Sequence, residues 1–144
     1  MNVISLAPVA IRYDKHVKPA LGEVLALYRA VSWSSAEKPG ALHAGLLASH
    51  SLVTAWDHDR LVGLGSAISD GHLVVYYPHL VVHPEYQGRG IGTGVMTRLM
   101  ARYEGFHQQA LLADGRAIDF YKKLGFVRAG ATQPLWIFGG HEHD

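Results

Sequence analysis

The chain has 144 residues, of which 49% are hydrophobic and 17% charged, a composition typical of a folded globular domain. Its length allows one domain, spanning 1–144, and is too short for two of ordinary size. Thirteen basic and twelve acidic side chains leave a formal charge of +1, which argues against a nucleic-acid partner, and the absence of cysteine excludes disulfides and thiolate sites.

The first fifteen residues do not resemble a secretory leader. Their apolar part precedes Arg12 and Lys15, whereas a signal peptide places its positive charges first. No apolar run approaches the ~20 residues of a transmembrane helix, so no membrane partner is expected. We therefore expect a cytoplasmic protein.

Two helices and a hairpin are predicted next. Residues 19–31 carry apolar side chains at helical spacing behind Pro19, a residue suited to a first helical turn. Residues 39–50 predict a second, shorter helix. Residues 51–69 alternate along their length around Asp-His-Asp, a pattern that predicts two strands joined by a tight turn.

A long strand is predicted after a second turn. Asp70-Gly71 is a favoured hairpin sequence, and residues 72–83 behind it are rich in Val and Tyr. Pro78 cannot donate a ladder hydrogen bond, so we expect an interruption near 78–81. The alternative is that 72–83 forms two short strands or an edge strand.

The C-terminal half alternates helices and strands. Apolar side chains from Ile91 to Tyr103 mark one face of a helix, and residues 109–113 read as a short buried strand. Residues 114–126 predict a helix capped by Asp114, and 133–138 a last strand. This order predicts one α/β domain built around a mixed sheet.

Ten histidines raise the question of a metal site. None belongs to the His-Glu-x-x-His pair that places two ligands on one helical face. The final residues, His-Glu-His-Asp, could chelate a metal weakly, but a solvated terminus is the simpler interpretation. We expect no metal.

Residues 81–92, Val-Val-His-Pro-Glu-Tyr-Gln-Gly-Arg-Gly-Ile-Gly, lead from a strand into a helix. Unpaired N–H groups and the helix dipole favour an anion at such a helix start, and glycine allows a ligand to approach the backbone closely. We therefore predict that 88–93 binds a phosphate. The lysine of a P-loop is absent, and the glycine spacing does not fit a dinucleotide fingerprint. Glycines needed only for tight packing are the alternative.

The same segment resembles the acetyl-CoA signature of the GCN5-related N-acetyltransferases (GNAT), because Gln87, Gly90 and Gly92 follow the order of that motif. About two dozen residues later, Ala-Asp-Gly-Arg-Ala-Ile-Asp-Phe-Tyr-Lys-Lys-Leu-Gly-Phe resembles the second signature of the family. The resemblance spans 72–126 and is greatest to the branch that contains plant chloroplast serotonin N-acetyltransferases and small bacterial relatives. It implies a single GNAT-like domain whose mixed central sheet has splayed middle strands flanked by helices.

The resemblance also implies acetyl-CoA as the cofactor and names the residues that contact it. The main chain of Leu80, Val81 and Val82 would pair with the pantetheine arm, while Asp114 and Tyr121 would approach the same arm. Asp114 stands where many members carry Asn, so capping is an equal alternative. The pyrophosphate would be bound around Gln87, Gly88, Arg89, Gly90, Ile91, Gly92 and Thr93.

Three residues are candidates for the chemistry. The Val82 N–H would polarise the thioester carbonyl, and Tyr121 would protonate the leaving thiolate, although helical spacing alone would make Tyr121 a packing residue. His79 has a suitable pKa for the general base. Other acids and bases remain open for that role, namely Glu23, Asp70 and His72.

The acceptor is expected to be a small-molecule amine. Its site could be lined by Trp33, Tyr28, Tyr76 and Tyr77, which would favour an arylalkylamine, although these aromatic residues could equally be core. The expected activity is direct acetyl transfer from acetyl-CoA to a primary amine. The alternative is a CoA-binding sensor or interaction module of the same fold without turnover. A homodimer is left open.

Overall fold

The structure is a computed structural model and describes residues 10–143. Residues 1–9 and Asp144 lie outside the described residues, and with them most of the segment inspected for a leader and the end of the histidine-rich terminus. The strands are β1 Arg12–Asp14, β2 Ser51–Asp57, β3 Arg60–Ser69, β4 Val74–Tyr76, β5 Leu80–Val82 and β6 Gln108–Ala110. The helices are α1 Leu21–Ala30, α2 Pro39–Leu47, α3 Ile91–Met100 and α4 Ile118–Lys123, with short 3₁₀ helices at Ser34–Glu37, Pro84–Tyr86 and Ala101–Tyr103. None of the helices described is long and apolar enough to cross a bilayer.

The six strands form one mixed sheet, as predicted. Their order is β1-β2-β3-β4-β6, and β5 pairs with β3 beside β4. Every pair is antiparallel except β4 with β6, which is parallel. The predicted hairpin at 51–69 is confirmed, with His58 in the left-handed region at φ 52° in its turn.

The predicted single strand 72–83 is wrong, because a β-bulge divides it into β4 and β5. Ile68 faces Tyr76 and Gly65 faces Leu80, so three steps along β3 oppose four steps along its partner. The extra residue changes the side-chain parity, and Tyr77 and Leu80 therefore face the same core. Pro78 lies in the gap, which agrees with the expected interruption of the ladder.

The core lies on both faces of the sheet. Helix α3 packs on one face through Val95, Met96 and Leu99, and α1 packs on the other through Val24, Leu27 and Tyr28. Gly65 lets α3 approach closely, since a Cβ there would stand 2.7 Å from the side chains of Leu99 and Val95. This packing places the start of α3 beside β5.

Three other predicted elements differ from the structure. The helix predicted over 39–50 ends at Leu47, and the one predicted over 114–126 is helical only at Ile118–Lys123 because Asp114–Ala117 forms a turn closed by the Ala117 N–H. No strand is formed over 133–138, where Leu135 is 92% exposed. The segment has a composition typical of a strand, but no described strand pairs with it.

Candidate active site

The start of α3 has the properties of an anion-binding site. Gly90 precedes the helix at φ 81°, and Gly88 has φ 78°, conformations that favour glycine. The first intrahelical bond joins the Gly94 N–H to the Gly90 carbonyl at 2.9 Å, so the amides of 91–93 precede it, and no described side chain caps them. A Cβ added at Gly88 or Gly90 would meet no atom within 4 Å, which leaves room for a ligand.

The side chains of the turn hold it against the sheet. The Gln87 amide donates to the Val82 carbonyl over 3.0 Å, which ties the turn to β5. The Arg89 guanidinium lies 5.2 Å from the centre of the Tyr86 ring, near the start of α3. Ile91 is 1% exposed, so its side chain anchors the helix in the core.

Thr93 and Gly92 complete the first turn of α3. Thr93 is exposed, and its carbonyl accepts a hydrogen bond of 2.8 Å from the Thr97 hydroxyl. A Cβ on Gly92 would stand 3.3 Å from Cζ of Phe120, so glycine here lets α4 approach α3. The two family signatures therefore meet in the structure.

One edge of β5 is turned away from β3. The His83 N–H donates to the Val62 carbonyl at 2.8 Å, and the His79 carbonyl accepts the Ser66 N–H at 3.0 Å. Because pairing groups alternate along a strand, the main chain of Leu80 and Val82 faces away from β3. The expected main-chain contact of Val81 with the pantetheine arm is wrong, since the register directs its backbone to Leu64.

The ring of Tyr121 is partly buried on α4. It makes edge-to-face contacts with Phe120 at 5.0 Å and Phe126 at 6.0 Å, and packs against the core cluster that Leu80 and Val82 also contact. Burial raises the pKa of the phenol, so it is protonated at neutral pH. No partner for its hydroxyl is found among residues 10–143, which leaves the proton available to a ligand.

Asp114 serves the turn before α4. Its carboxylate accepts the Arg116 N–H at 3.0 Å and lies 3.8 Å from the His143 ring nitrogen. The prediction that Asp114 caps this helix is wrong, because α4 begins after Ala117 and has no side-chain cap. A contact of Asp114 with the cofactor stays a prediction.

His79 belongs to an aromatic cluster on the α1 side of the sheet. Its Nδ1 is 2.6 Å from the Tyr28 hydroxyl, and the Trp33 ring lies edge-on at 5.2 Å. Burial lowers the pKa of His79 to about 4, and the negative charge of Glu142 acts in the other direction and raises it. Burial also raises the pKa of Tyr28, so this phenol keeps its proton at neutral pH. Which of the two groups donates in their hydrogen bond depends on the tautomer of His79.

The other candidate bases take part in local structure. The Glu23 carboxylate accepts the Ala20 N–H at 3.0 Å at the start of α1. Asp70 accepts the N–H groups of His72, Leu73 and Val74, and these bonds lower its pKa to about 2. A carboxylate with so low a pKa is a weak base.

Two of the four predicted aromatic residues form one cluster, in which Tyr28 is fully buried and Trp33 only partly. Tyr28 and Trp33 lie edge-to-face at 5.8 Å, with His79 against both. The prediction for Tyr77 is wrong, because it faces the α3 core and its hydroxyl donates to the Gln109 side chain at 2.7 Å. Tyr76 is 38% exposed on β4.

The C-terminal tail brings a carboxylate to this cluster, which sequence reasoning missed. The His141 ring is 3.1 Å from the Glu37 carboxylate. Burial disfavours the charge of Glu142, but hydrogen bonds from Ser34 and from the N–H groups of Ser34 and His141 lower its pKa to about 2. The sequence signal was an acidic residue among tail histidines, interpreted as a solvated terminus.

The comparisons with known proteins agree with this geometry. The sequence profile of the acetyltransferase (GNAT) domain matches residues 48–128, more than half of the chain. A GNAT-family acetyltransferase structure from Streptococcus pneumoniae TIGR4 is 30% identical and superposes with a TM-score of 0.75 over 90% of this chain and 99% of that one.

Curated relatives are similar over shorter segments. Serotonin N-acetyltransferase 2, chloroplastic, of Oryza sativa subsp. japonica is 41% identical over 70 residues, which are 47% of this chain and 35% of that protein. The uncharacterized N-acetyltransferase ycf52 of Gracilaria tenuistipitata var. liui is 36% identical over 69 residues, 46% of this chain and 38% of that protein. The chain thus spans less than half the length of these relatives. With two signatures brought together in the fold and a profile match across them, the chain belongs to the GNAT acetyltransferase family.

Proposed function

We propose that the protein is an acetyl-CoA-dependent N-acetyltransferase that transfers the acetyl group directly to a primary amine of a small molecule. The observation that carries this proposal is the uncapped start of α3, open above Gly88 and Gly90, beside an edge of β5 that faces away from β3. Such a pair of features suits a ligand that joins a diphosphate to an extended, amide-containing arm.

The residues present fit acetyl-CoA. The amides of 91–93 would hold the pyrophosphate, and Arg89 would add positive charge near it. The outward N–H and carbonyl of Leu80 and the outward N–H of Val82 would pair with the pantetheine arm, since the Val82 carbonyl already accepts the Gln87 amide. Gln87 would support both the pyrophosphate site and the pantetheine site, because its side chain joins the turn before α3 to Val82.

Two groups of the chain would serve the reaction. Acetyl-CoA, when bound, supplies an acetyl thioester. The Val82 N–H would donate to the thioester oxygen as negative charge develops there, a fixed dipole of the kind that contributes most to such catalysis. Tyr121, protonated at neutral pH because of its burial, would give its proton to the departing thiolate. The same burial disfavours a free thiolate, so it raises the proton affinity of the acceptor together with that of the donor.

The amine would enter on the α1 side of the sheet, against Trp33 and His79, with Tyr28 buried against both. An aromatic wall favours an arylalkylamine, in keeping with the name of the rice relative. We propose that His79 positions this wall through its hydrogen bond of 2.6 Å with the Tyr28 hydroxyl, and that the amine loses its proton to solvent.

Calorimetry and thiol release test this function together. CoA and acetyl-CoA should bind with micromolar affinity, while NAD should not bind. Thiol release with acetyl-CoA should then be faster with arylalkylamines than with polyamines, amino acids or peptides. Binding without thiol release from any amine would instead favour a sensor or interaction module, and no binding of CoA would exclude both.

A further inference from the structure

The segment 133–138, here called the C-terminal arm, forms neither helix nor strand and has no partner strand among the described residues. Leu135 is 92% exposed and Ile137 is fully exposed on one side. On the other side the rings of Trp136 and Phe138 stack at 4.4 Å with an angle of 11°. In a strand, side chains two residues apart lie on one side, so this contact is compatible with pairing of the arm as a strand.

Such exposure is unusual for a monomer. The arm presents four large apolar side chains in succession, which makes a continuous apolar patch of the kind that marks protein interfaces. The arm sequence also has the aromatic and branched residues that suit a strand. Pro134 at its start is tolerated at the edge of a sheet.

The sheet offers a matching edge at β6. The Gln108 N–H donates to the Leu73 carbonyl at 3.2 Å, and the Ala110 carbonyl accepts the Tyr77 N–H at 3.0 Å, so both residues use their main chain on β4. The main chain of Gln109 points the other way by alternation, and no described strand pairs with it there. An uncovered edge of this kind readily pairs with another chain.

Apolar side chains also surround this edge. Leu112, two residues after β6, is 47% exposed. On the neighbouring strands, Ile68 is 56% exposed opposite Tyr76, which is itself 38% exposed. A strand added to β6 would therefore find apolar surface as well as backbone partners.

The arm of the same chain does not occupy this edge. The residues that follow it are held by the segment between α1 and α2, since His141 pairs with Glu37 and Gly140 lies against the Ser34 hydroxyl. His143 contacts the rings of Trp136 and Phe138 as well. These contacts hold the C-terminal end of the arm, while Leu135 and Ile137 stay exposed.

We propose that the arm of each chain adds to the β6 edge of a second copy, which gives a two-fold symmetric dimer. One chain carries both halves of the interface, the donor strand and the acceptor edge, as a self-complementary contact requires. Two exchanged arms contribute eight large apolar side chains, four from each copy. With ~150–250 Å² for each aromatic ring, this approaches the ~1,200 Å² at which stable interfaces begin. The proposal does not depend on the acetyltransferase activity.

Light scattering after size exclusion tests the oligomeric state. The wild-type chain of 15.7 kDa is expected at twice that mass, and the double variant Leu135→Asp/Ile137→Asp at the monomer mass. Val127→Asp is the matched control, because Val127 is 83% exposed outside the arm, and it should remain a dimer. A monomeric wild type, or a double variant that remains dimeric, would overturn the proposal.

Hydrogen exchange separates pairing with a second copy from pairing within one chain. In the wild-type dimer the amides of the arm and of Gln109 should exchange slowly, and in the double variant quickly, with the amides of β2 and β3 unchanged as a sign of intact folding. Slow exchange in a wild-type monomer would mean that the arm pairs with its own β6, which also overturns the proposal. A chain ending at residue 132 should, like the double variant, be a monomer.

Discussion

The phenol of Tyr121 is the side chain on which the proposed chemistry depends most directly. Tyr121→Phe should lower kcat about 10²–10⁴-fold, the usual contribution of a general acid, because the departing thiolate then receives no proton. The affinity for acetyl-CoA should change little, since the ring keeps its contacts with Phe120 and Phe126. Thiol release and calorimetry measure the two quantities. An unchanged kcat would remove Tyr121 from the reaction.

The imidazole of His79 should make folding depend on pH. Its pKa is lowered from 6.5 to about 4 in the folded chain, so between these values the unfolded chain binds the proton more readily. Protonation of His79 therefore does not lower the free energy of unfolding above pH ~6.5. As the pH falls from there toward ~4, it lowers that free energy by up to ~3 kcal/mol. Urea unfolding should show that the free energy of unfolding falls less between pH 7 and pH 4.5 in His79→Gln than in the wild type. Equal falls in both proteins would contradict the lowered pKa of His79.

At the scale of elements, the turn before α3 can be tested with a matched pair of glycines. Gly90 and Gly105 have φ values of 81° and 80°, and a Cβ on either would meet no atom within 4 Å. Valine at either position should therefore cost similar folding free energy, on the order of 1–2 kcal/mol. Only Gly90→Val should weaken acetyl-CoA binding, by tenfold or more, because its side chain would stand over the helix amides. Calorimetry measures the affinity for acetyl-CoA. If both variants lost affinity equally, the phosphate would not bind at the start of α3.

How far the sequence predicts these elements depends on where their determinants lie. The hairpin of β2 and β3 follows from local alternation and a tight turn, and α3 from its 3.6-residue period behind glycine. The bulge at Pro78 was predictable as an interruption, but its parity depends on the register between β3 and its partners. The Tyr77 error follows from that parity. The position of Glu142 could not be predicted, because a tail contact 108 residues from Ser34 has no local pattern.

At the scale of the whole molecule, the C-terminal tail meets the segment between α1 and α2 at the proposed amine site. The segment between α1 and α2 supplies Trp33 and Ser34, and the C-terminal tail supplies Glu142. The exchanged arm lies directly before that tail. Dimer formation would therefore hold the tail in place, so Leu135→Asp/Ile137→Asp should raise KM for the amine more than KM for acetyl-CoA, as steady-state kinetics would show. An equal change in both KM values would mean that dimer formation has no specific effect on the amine site.

Glu142 offers the sharpest test of how this region recognises an amine. Its pKa of about 2 means that the carboxylate is charged at every working pH, beside a cluster in which His79 is neutral. A substrate that arrives as an ammonium ion would be attracted by this charge and by the face of Trp33. Glu142→Gln should therefore raise KM for the amine about tenfold and leave the affinity for acetyl-CoA unchanged.

The matched control for Glu142 is Glu104→Gln, which removes an exposed carboxylate after α3 and should leave KM for the amine unchanged. The two variants have the same net charge, so a difference between them reports the position of the charge and not its total. Steady-state kinetics at low and high salt extends the comparison. The wild-type KM should rise with salt because screening weakens the attraction, whereas that of Glu142→Gln should respond less. If KM in Glu142→Gln equals that of the control at both salt concentrations, the carboxylate of the tail does not bind the amine.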